Sequence, residues 1–555
     1  MVVHKLVVAL GAAAVLLAGC ASPDSDDSNA SRDPSRDPSA SPTSGAPAQG
    51  GTLSVAIDSD PGQLNPAITT SGGTHTASEL VFNGLVELTP ELEPVPELAE
   101  SWEVLEDGAL YRFDLRDGVT WHDGVPFTSA DVKFTFEEML LKLHSRTKAS
   151  VGAALESITT PDADTVEFRF TQPYAPLLLQ LDVTEAPILP KHLYEGTDVM
   201  KNPVNSMPVG TGPFTLESYT PDAELRFAKN PDYFKPGLPN LDEVVMRIIP
   251  HKGNQVVALE AGEVDWLFGA PGPDLARLKD SGDFEFLTTA VNPGGSNCIM
   301  TVSFNLERPM FQDVRLRRAL GTALDREQFV ERVLFGQGKV AEAPISSGIP
   351  FAHAPDLEGM IEFDRAEAER LLEDAGWKRS GDGVRTASGV TGVEDGTPLA
   401  FRFTHFPTFS AYAQLLRAQL KEVGADVTLI PLEPPVFADT VFKARDFDTN
   451  IISYCNGADP EIGVKRMYVT SNIGPVPFSN SSAYRNPQVD ALFEQARTTV
   501  DQDKRTEIYR DLQEQLVKDL PYLWIVETES DRIFTDRCEG FSPAGHFAET
   551  ASCTT

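Results

Sequence analysis

The side chains best equipped for chemistry in this 555-residue chain are nine histidines, five cysteines and 82 carboxylates, and their spacing decides what they can do. The histidines are scattered singly, with no H-E-x-x-H on a helix and no C-x-x-C to hold a metal. A lone His such as His122 or His405 therefore reads as a surface or satisfied core residue. Nucleotide phosphates need a glycine-rich cradle, and no G-x-x-x-x-G-K-[ST] is present. Gly210-Thr211-Gly212-Pro213 fails the G-x-G-x-x-G pattern, because position 215 is Thr and a proline interrupts the turn. Gly540-Phe541-Ser542-Pro543 is followed by Ala544, so the nucleophile elbow G-x-S-x-G is missing too. Carboxylates are so abundant that their number says nothing about a catalytic pair. Binding is favoured over catalysis, and a secreted hydrolase with a site assembled from distant residues is the remote alternative.

The first twenty residues carry a different chemistry. Lys5 gives a positive start and Leu6 to Ala18 an apolar run, which falls short of the roughly 20 residues a spanning helix needs. Leu17-Ala18-Gly19-Cys20 resembles a bacterial lipobox, in which Cys20 takes the lipid and becomes the mature N-terminus. No Arg-Arg precedes the run, so general secretion is the expected route. Four further cysteines remain: Cys298, Cys455, Cys538 and Cys553. In an oxidising compartment an even count suggests two disulfides. Cys538–Cys553 with Cys298–Cys455 is the simplest pairing, and the other two connectivities or free thiols stay open.

Residues 21–50 contain no aromatic and no large aliphatic side chain, so they are expected to form a disordered stalk. The body beyond calls for more than one core. A net charge of −36 offers phosphates no basic stripe and excludes a nucleic-acid partner. Folded structure is expected to begin with the strand Thr52–Ile57. Tyr111, Phe113 and Leu115 alternate with polar residues, and Asp117-Gly118 would turn that strand into Val119–Trp121. Thr128 and Asp131 start a helix with Val132, Phe136, Met139, Leu140 and Leu143 on one face. Residues 162–170 form another turn and alternating strand. Further on, Asp325 and Asp364 cap two helices, and residues 399–406, 410–423 and 425–432 read as strand, helix and strand. That is a βαβ unit and implies a parallel sheet. Residues 486–519 are one or two long amphipathic helices. The class is α/β.

Five segments, in order, carry a resemblance to a known family. VPELAESWEVLEDGALYRFDLRDGVTWHDGVPFTSADVKFTFE (95–137) resembles the signature region of family 5 extracellular solute-binding proteins, the oligopeptide, dipeptide and nickel receptors of ABC importers. VGTGPFTLESYTPDAELRFAKNPDYF (209–234), ALEAGEVDW (258–266), FNLERPMFQDVRLRRALGTALDRE (304–327) and AEAERLLEDAGW (366–377) are similar to its later motifs, with Met310 in place of a Phe.

The resemblance implies a two-lobed, periplasmic-binding-protein-like clamp of three domains (class II, cluster C type) with mixed sheets. Domain I would comprise 51–84, 211–297 and 525–555, domain II 85–210, and domain III 298–524, with hinge crossings near Asn297-Cys298 and Leu523-Trp524. It also implies a short-peptide ligand, ABC permease subunits as partners, no cofactor or metal, a monomer, and no catalysis. A nickel chelate, an oligosaccharide or an opine is the alternative ligand. In peptide-binding members an Asp in the segment matching 451–469 accepts the ligand's α-ammonium and an aromatic residue lines the cleft. Asp459 and Tyr454 hold those places, with Asn456 in the turn between them. Asp459 before Pro460 also suits a turn cap. Gly73, Thr74 and His75, in a loop 71–76, would form the opposite wall. Arg466 either meets a ligand carboxylate or lies on a helix surface. Cys298–Cys455 would then cross-link the lobe junction. A lipid anchor on such a receptor favours a Gram-positive-type envelope.

Overall fold

The computed structural model describes residues 50–289, 291–292, 296–379, 381, 383–543 and 546–554. The expected signal segment, Cys20 and the stalk up to residue 49 lie outside them. Among the described residues no helix is long and apolar enough to cross a membrane.

Two seven-stranded sheets and one of four strands carry the fold. In the first large sheet, Thr52–Ile57 lies parallel between Glu243–Ile248 and Trp266–Leu267. Leu53 and Val55 are buried on one of its faces and Ala56 on the other, which fits it to a central position covered on both sides. Antiparallel Phe214–Thr220 and Glu224–Lys229 complete one edge, and Ser530–Thr535 with Phe284–Thr289 the other.

The four-stranded sheet is made of Ala99–Leu105, Leu110–Leu115, Thr165–Phe170 and Leu155–Thr159. Leu110–Leu115 pairs with Ala99–Leu105 through the turn at 106–109 and, on its other edge, with Thr165–Phe170. Asp117-Gly118 does not turn it into a hairpin with Val119–Trp121, where only an isolated Thr120–Pro126 bridge forms. Phe113 instead meets Phe168 edge to face, which buries both rings. The helix Ser129–Phe134 that covers this face starts at a capping box, with Thr128 N donating to Asp131 Oδ2 at 2.9 Å. Val132, Phe136, Met139 and Leu140 are buried, but Leu143 is 37% exposed. The wide π-helical turn Thr135–Leu140 rotates the apolar stripe before it reaches Leu143.

The second large sheet contains the βαβ unit: parallel strands Ala400–His405 and Asp426–Pro431 joined by the helix Ser410–Glu422. Asp364 caps the helix Arg365–Asp374 through Glu367 N, whereas the helix Glu327–Arg332 starts at Arg326, and Asp325 before it accepts from Gln328 N at 3.4 Å and from Gln328 Nε2 at 2.6 Å. Pro487–Thr498 and Gln502–Asp519 are two separate helices. The sheet's centre is Ser296–Phe304, antiparallel to Thr449–Asn456 on one side and Tyr522–Thr528 on the other.

The chain passes between the large sheets twice, after Thr289 and again at Glu529. The second passage falls later than Leu523-Trp524. Both residues pair within the second sheet, with Val302 and Thr301, and are buried in its core. Cys298 sits directly opposite Cys455 and is disulfide-bonded to it; Cys538–Cys553 pins the tail.

The Cys298–Cys455 bond closes a span of 157 residues, so it limits the freedom of a long unfolded loop. Replacing both cysteines with Ser should lower stability by about 2–4 kcal/mol. Urea unfolding without reductant measures this, and an unchanged midpoint would show that sheet pairing alone holds the two strands.

Candidate functional site

The strand Thr449–Asn456 ends at the junction between the N-terminal sheets and the C-terminal one, and its exit is shaped by side-chain caps. Asp459 Oδ1 accepts from Glu461 N at 2.9 Å, which folds the chain into the short helix Val464–Tyr468. Segments from the N-terminal half close on this region. Ala175 N donates to Arg497 O at 2.9 Å, and a Cβ on Gly108 would collide with Val500. Tyr174 lies within electrostatic reach of Glu461 and Asp459, and Arg466 within reach of Glu185 and Arg146.

This seam gathers buried polar atoms that have no hydrogen-bond partner. From the N-terminal half come His75 Nδ1, His144 Nε2, Arg146 Nε, Gln180 Nε2 and Glu185 Oε1. The C-terminal half contributes both side-chain polar atoms of Asn456, Glu461 Oε2 and Arg466 Nε. Buried polar groups in folded proteins are nearly all bonded, so such a concentration marks a place built to bond something else.

Electrostatics at the seam follow from removing these groups from water. Burial, reinforced by neighbouring Asp182, overcomes the attraction of His546 and pushes the Glu79 carboxyl up to about 7. Burial and then Glu185 do the same to Asp182, also to about 7. Burial raises Glu185 as well, against the pull of Arg146 and Arg466. Arg146 Nη2 is 2.9 Å from Glu185 Oε1, yet the contact is not aligned as a hydrogen bond. Burial, then Arg146, drives His75 down to about 4, and the same two causes take His144 down to about 3, so both rings are neutral at pH 7. The seam therefore presents desolvated groups of both signs and neutral imidazoles. No group of three His, Cys, Asp or Glu among the described residues is arranged to hold a metal.

The residues expected from sequence fall unevenly on this geometry. Asn456 and Arg466 are at the seam. The guanidinium of Arg466 is drawn back over the Tyr454 ring, 5.9 Å from its centroid, and is not on an open helix surface. Tyr454 itself is fully buried, with its hydroxyl donating to Ser479 O at 2.9 Å; its ring backs Arg466 and is not an open wall. Asp459 is fully buried, and Oδ2 accepts from Arg505 Nη2 at 2.6 Å, so its carboxylate faces a resident cation. Residues 71–76 are not a loop: Gly72–Ser78 is a helix, with His75 Nε2 bonded to Thr69 O at 3.0 Å and Thr74 turned inward. Gly73 leaves room for the neighbouring Ser59 hydroxyl. Sequence reasoning missed Glu79, His144, Arg146, Asp182, Glu185 and Arg505. No local pattern marks them, since each acquires its role from a partner far away in the chain.

Glu79 and Asp182 carry a pH dependence with a defined sign. Their folded values, about 7, lie above the ordinary 4.5 and 3.8, so the folded state holds protons that the unfolded chain releases. Their stabilising contribution is full below about pH 4 and is lost as pH rises to about 7. The E79Q and D182N variants should therefore unfold less steeply with rising pH across that window than the unsubstituted protein. Melting curves at stepped pH measure it, and parallel slopes would refute the shifted carboxyls.

Comparison with known proteins gives this geometry a context. Residues 93–474 match the profile of "Bacterial extracellular solute-binding proteins, family 5 Middle". The chain is 25% identical over 540 residues to the oligopeptide-binding protein AppA of Bacillus subtilis, covering 95% of this chain and 94% of that one. The solved structure of AppA in complex with a nonapeptide superposes with a TM-score of 0.71 at 24% identity, over 91% of this chain and 99% of that one. NikZ from Campylobacter jejuni, in complex with Ni(L-His), gives a TM-score of 0.71 at 23% identity, over 89% and 97%. The shared fold is the two-lobed α/β clamp with mixed sheets. The chain belongs to the family 5 bacterial extracellular solute-binding proteins.

Proposed function

We propose that this protein is the solute-capturing component of an ABC importer, that it closes its lobes on a short peptide, and that it hands the peptide to a membrane permease. The observation that carries the reading is the concentration of desolvated, unbonded donors and acceptors on both sides of the seam. A peptide supplies what they lack: backbone donors and acceptors in alternation, and a charge of each sign at its ends. The likeness to AppA, named for oligopeptide binding, supports peptide over other solutes. No bond is made or broken in this role; binding energy goes into closure. The two passages between the large sheets act as the hinge, since among the described residues the chain leaves one large sheet for the other at these two places. Cys20 holds the receptor beside its permease by a lipid.

Peptide binding to the folded state alone raises stability by mass action, by about 2.7 kcal/mol at a hundredfold excess over Kd. A pool of short peptides should thus raise the melting temperature, and native mass spectrometry should show peptide masses on the protein. Absence of any shift or adduct with peptides would exclude the peptide reading. For the anchor, C20S should move the protein from the detergent phase to the aqueous phase on partitioning; an unchanged distribution would refute lipidation.

A further inference from the structure

The last carbonyls of a helix have no partner inside it. At the end of the helix Pro487–Thr498, Gln495 O accepts from Thr499 Oγ1 at 2.7 Å and Ala496 O from Arg505 Nε at 3.0 Å, both within the C-terminal half. Arg497 O instead accepts from Ala175 N at 2.9 Å, a donor of the N-terminal half. That donor is held rigidly. Ala175 stands in Pro173-Tyr174-Ala175-Pro176, where prolines restrict the backbone on both sides. Tyr174 N donates to Gly108 O at 3.0 Å, and Tyr174 O accepts from Tyr111 Oη at 3.0 Å. Both backbone groups of Tyr174 are thus engaged within their own half, and the next N–H reaches across to Arg497.

The neighbouring turn is matched to the same helix end. Glu106 and Asp107 lie in the left-handed region at φ 50° and 54°, where a side chain is strained, and Gly108 follows at φ 91°. Arg169 braces the turn, with Nη1 2.7 Å and Nη2 3.0 Å from the two Glu106 carboxylate oxygens. A Cβ on Gly108 would collide with Val500 Cγ2, just beyond the helix. Backbone strain of this kind persists where the surrounding structure enforces it, and it gathers at clamps and switches.

We infer that the turn 106–109 and the segment 173–176 form a latch that caps the helix Pro487–Thr498 from the opposite lobe, and that this latch sets how long the closed clamp retains its solute. Parting the lobes would strip Arg497 O and the Ala175 N–H of their partner in one step, so opening undoes a helix cap. Asp459 and Arg505 are positioning residues for the latch. Arg505, matched to Asp459 at 2.6 Å, fixes Ala496 O, and the next carbonyl along the chain is the one that Ala175 takes. The latch acts through the closed state and not through contact with the solute. Its loss therefore hastens release and leaves the rate of capture unchanged.

The latch rests on the proposed closure of the lobes, and amide hydrogen exchange reads it without any solute. The full chain is compared with G108A, whose added methyl wedges against Val500, and with G108A/V500A, which leaves only the residue-500 Cβ at 3.7 Å from that methyl. Recovery in the double variant separates a wedge across the lobes from strain within the turn. V500D sets a carboxylate against the acidic turn Glu106-Asp107. Val500 is 41% exposed, so V500D keeps its fold even where G108A does not, and thermal unfolding checks each variant. Exchange at the Ala175 amide should quicken at least about tenfold in G108A and V500D, and return towards the unsubstituted rate in G108A/V500A. With pooled short peptides, native mass spectrometry at intervals after dilution should show release about tenfold faster in G108A and V500D, with association unchanged. No quickening in V500D, or a G108A effect that V500A does not relieve, overturns the latch and leaves the peptide reading standing where peptides are retained. The expected exchange pattern with no peptide retained by the unsubstituted protein keeps the latch and overturns the peptide reading.

Discussion

Charge taken out of water must find a partner, and the seam of this protein is organised around that constraint. Asp459 and Arg505 are both buried and meet at 2.6 Å. Removing one member of such a pair leaves the other uncompensated, at a cost of about 3–5 kcal/mol. The pair ties the exit of the strand Thr449–Asn456 to the helix Gln502–Asp519, and the bond from Glu461 N to the Asp459 side-chain Oδ1 sets the turn that leads to Arg466. The position of Arg466 therefore depends on a salt bridge it does not join.

The same strand is fixed from its other side. Asn456 lies opposite Asn297 and Cys455 opposite Cys298, so the site segment leaves a strand held by ladder hydrogen bonds, a disulfide and the central Ser296–Phe304 strand. A rigid base matters because a clamp gains affinity only if its donors and acceptors need little rearrangement to meet the solute. Polar atoms without partners are tolerated where the surrounding structure supplies the stability, which here comes from large apolar cores in each half.

Opposite the strand, the N-terminal half provides a second buried network. His546, in the C-terminal tail, bonds Glu97 at 2.8 Å, and although burial opposes protonation, Glu97 raises this imidazole to about 9. Asn83, Tyr233, Lys235 and Glu549 extend the network, and the tail is pinned by Cys538–Cys553. His546 also bonds the backbone carbonyl of Glu79, so the tail supports the helix whose other residues, His75 among them, reach the seam. A tail segment remote in sequence thus underpins the helix Gly72–Ser78.

Local patterns in the sequence determined the elements whose stability is local. The capping pair Thr128 and Asp131, the period-two strands Thr52–Ile57 and Thr165–Phe170, and the βαβ unit from Ala400 to Pro431 are written in nearby residues, because caps, pleats and helical stripes depend on neighbours within a few positions. Ordered motifs also carried the family and hence the clamp. Strand partners were less legible: Leu110–Leu115 chose Thr165–Phe170 over the nearby Val119–Trp121, since burying Phe113 against Phe168 outweighs a convenient turn. Leu523 and Trp524 stayed with the sheet they complete. The site was legible only as a segment. Its order in the chain pointed to Asn456, Asp459 and Arg466, but whether a carboxylate is free or matched depends on what tertiary packing brings within a few ångströms. That packing gave Arg505 to Asp459, laid Arg466 over Tyr454, and set Arg146 and Glu185 within its electrostatic reach.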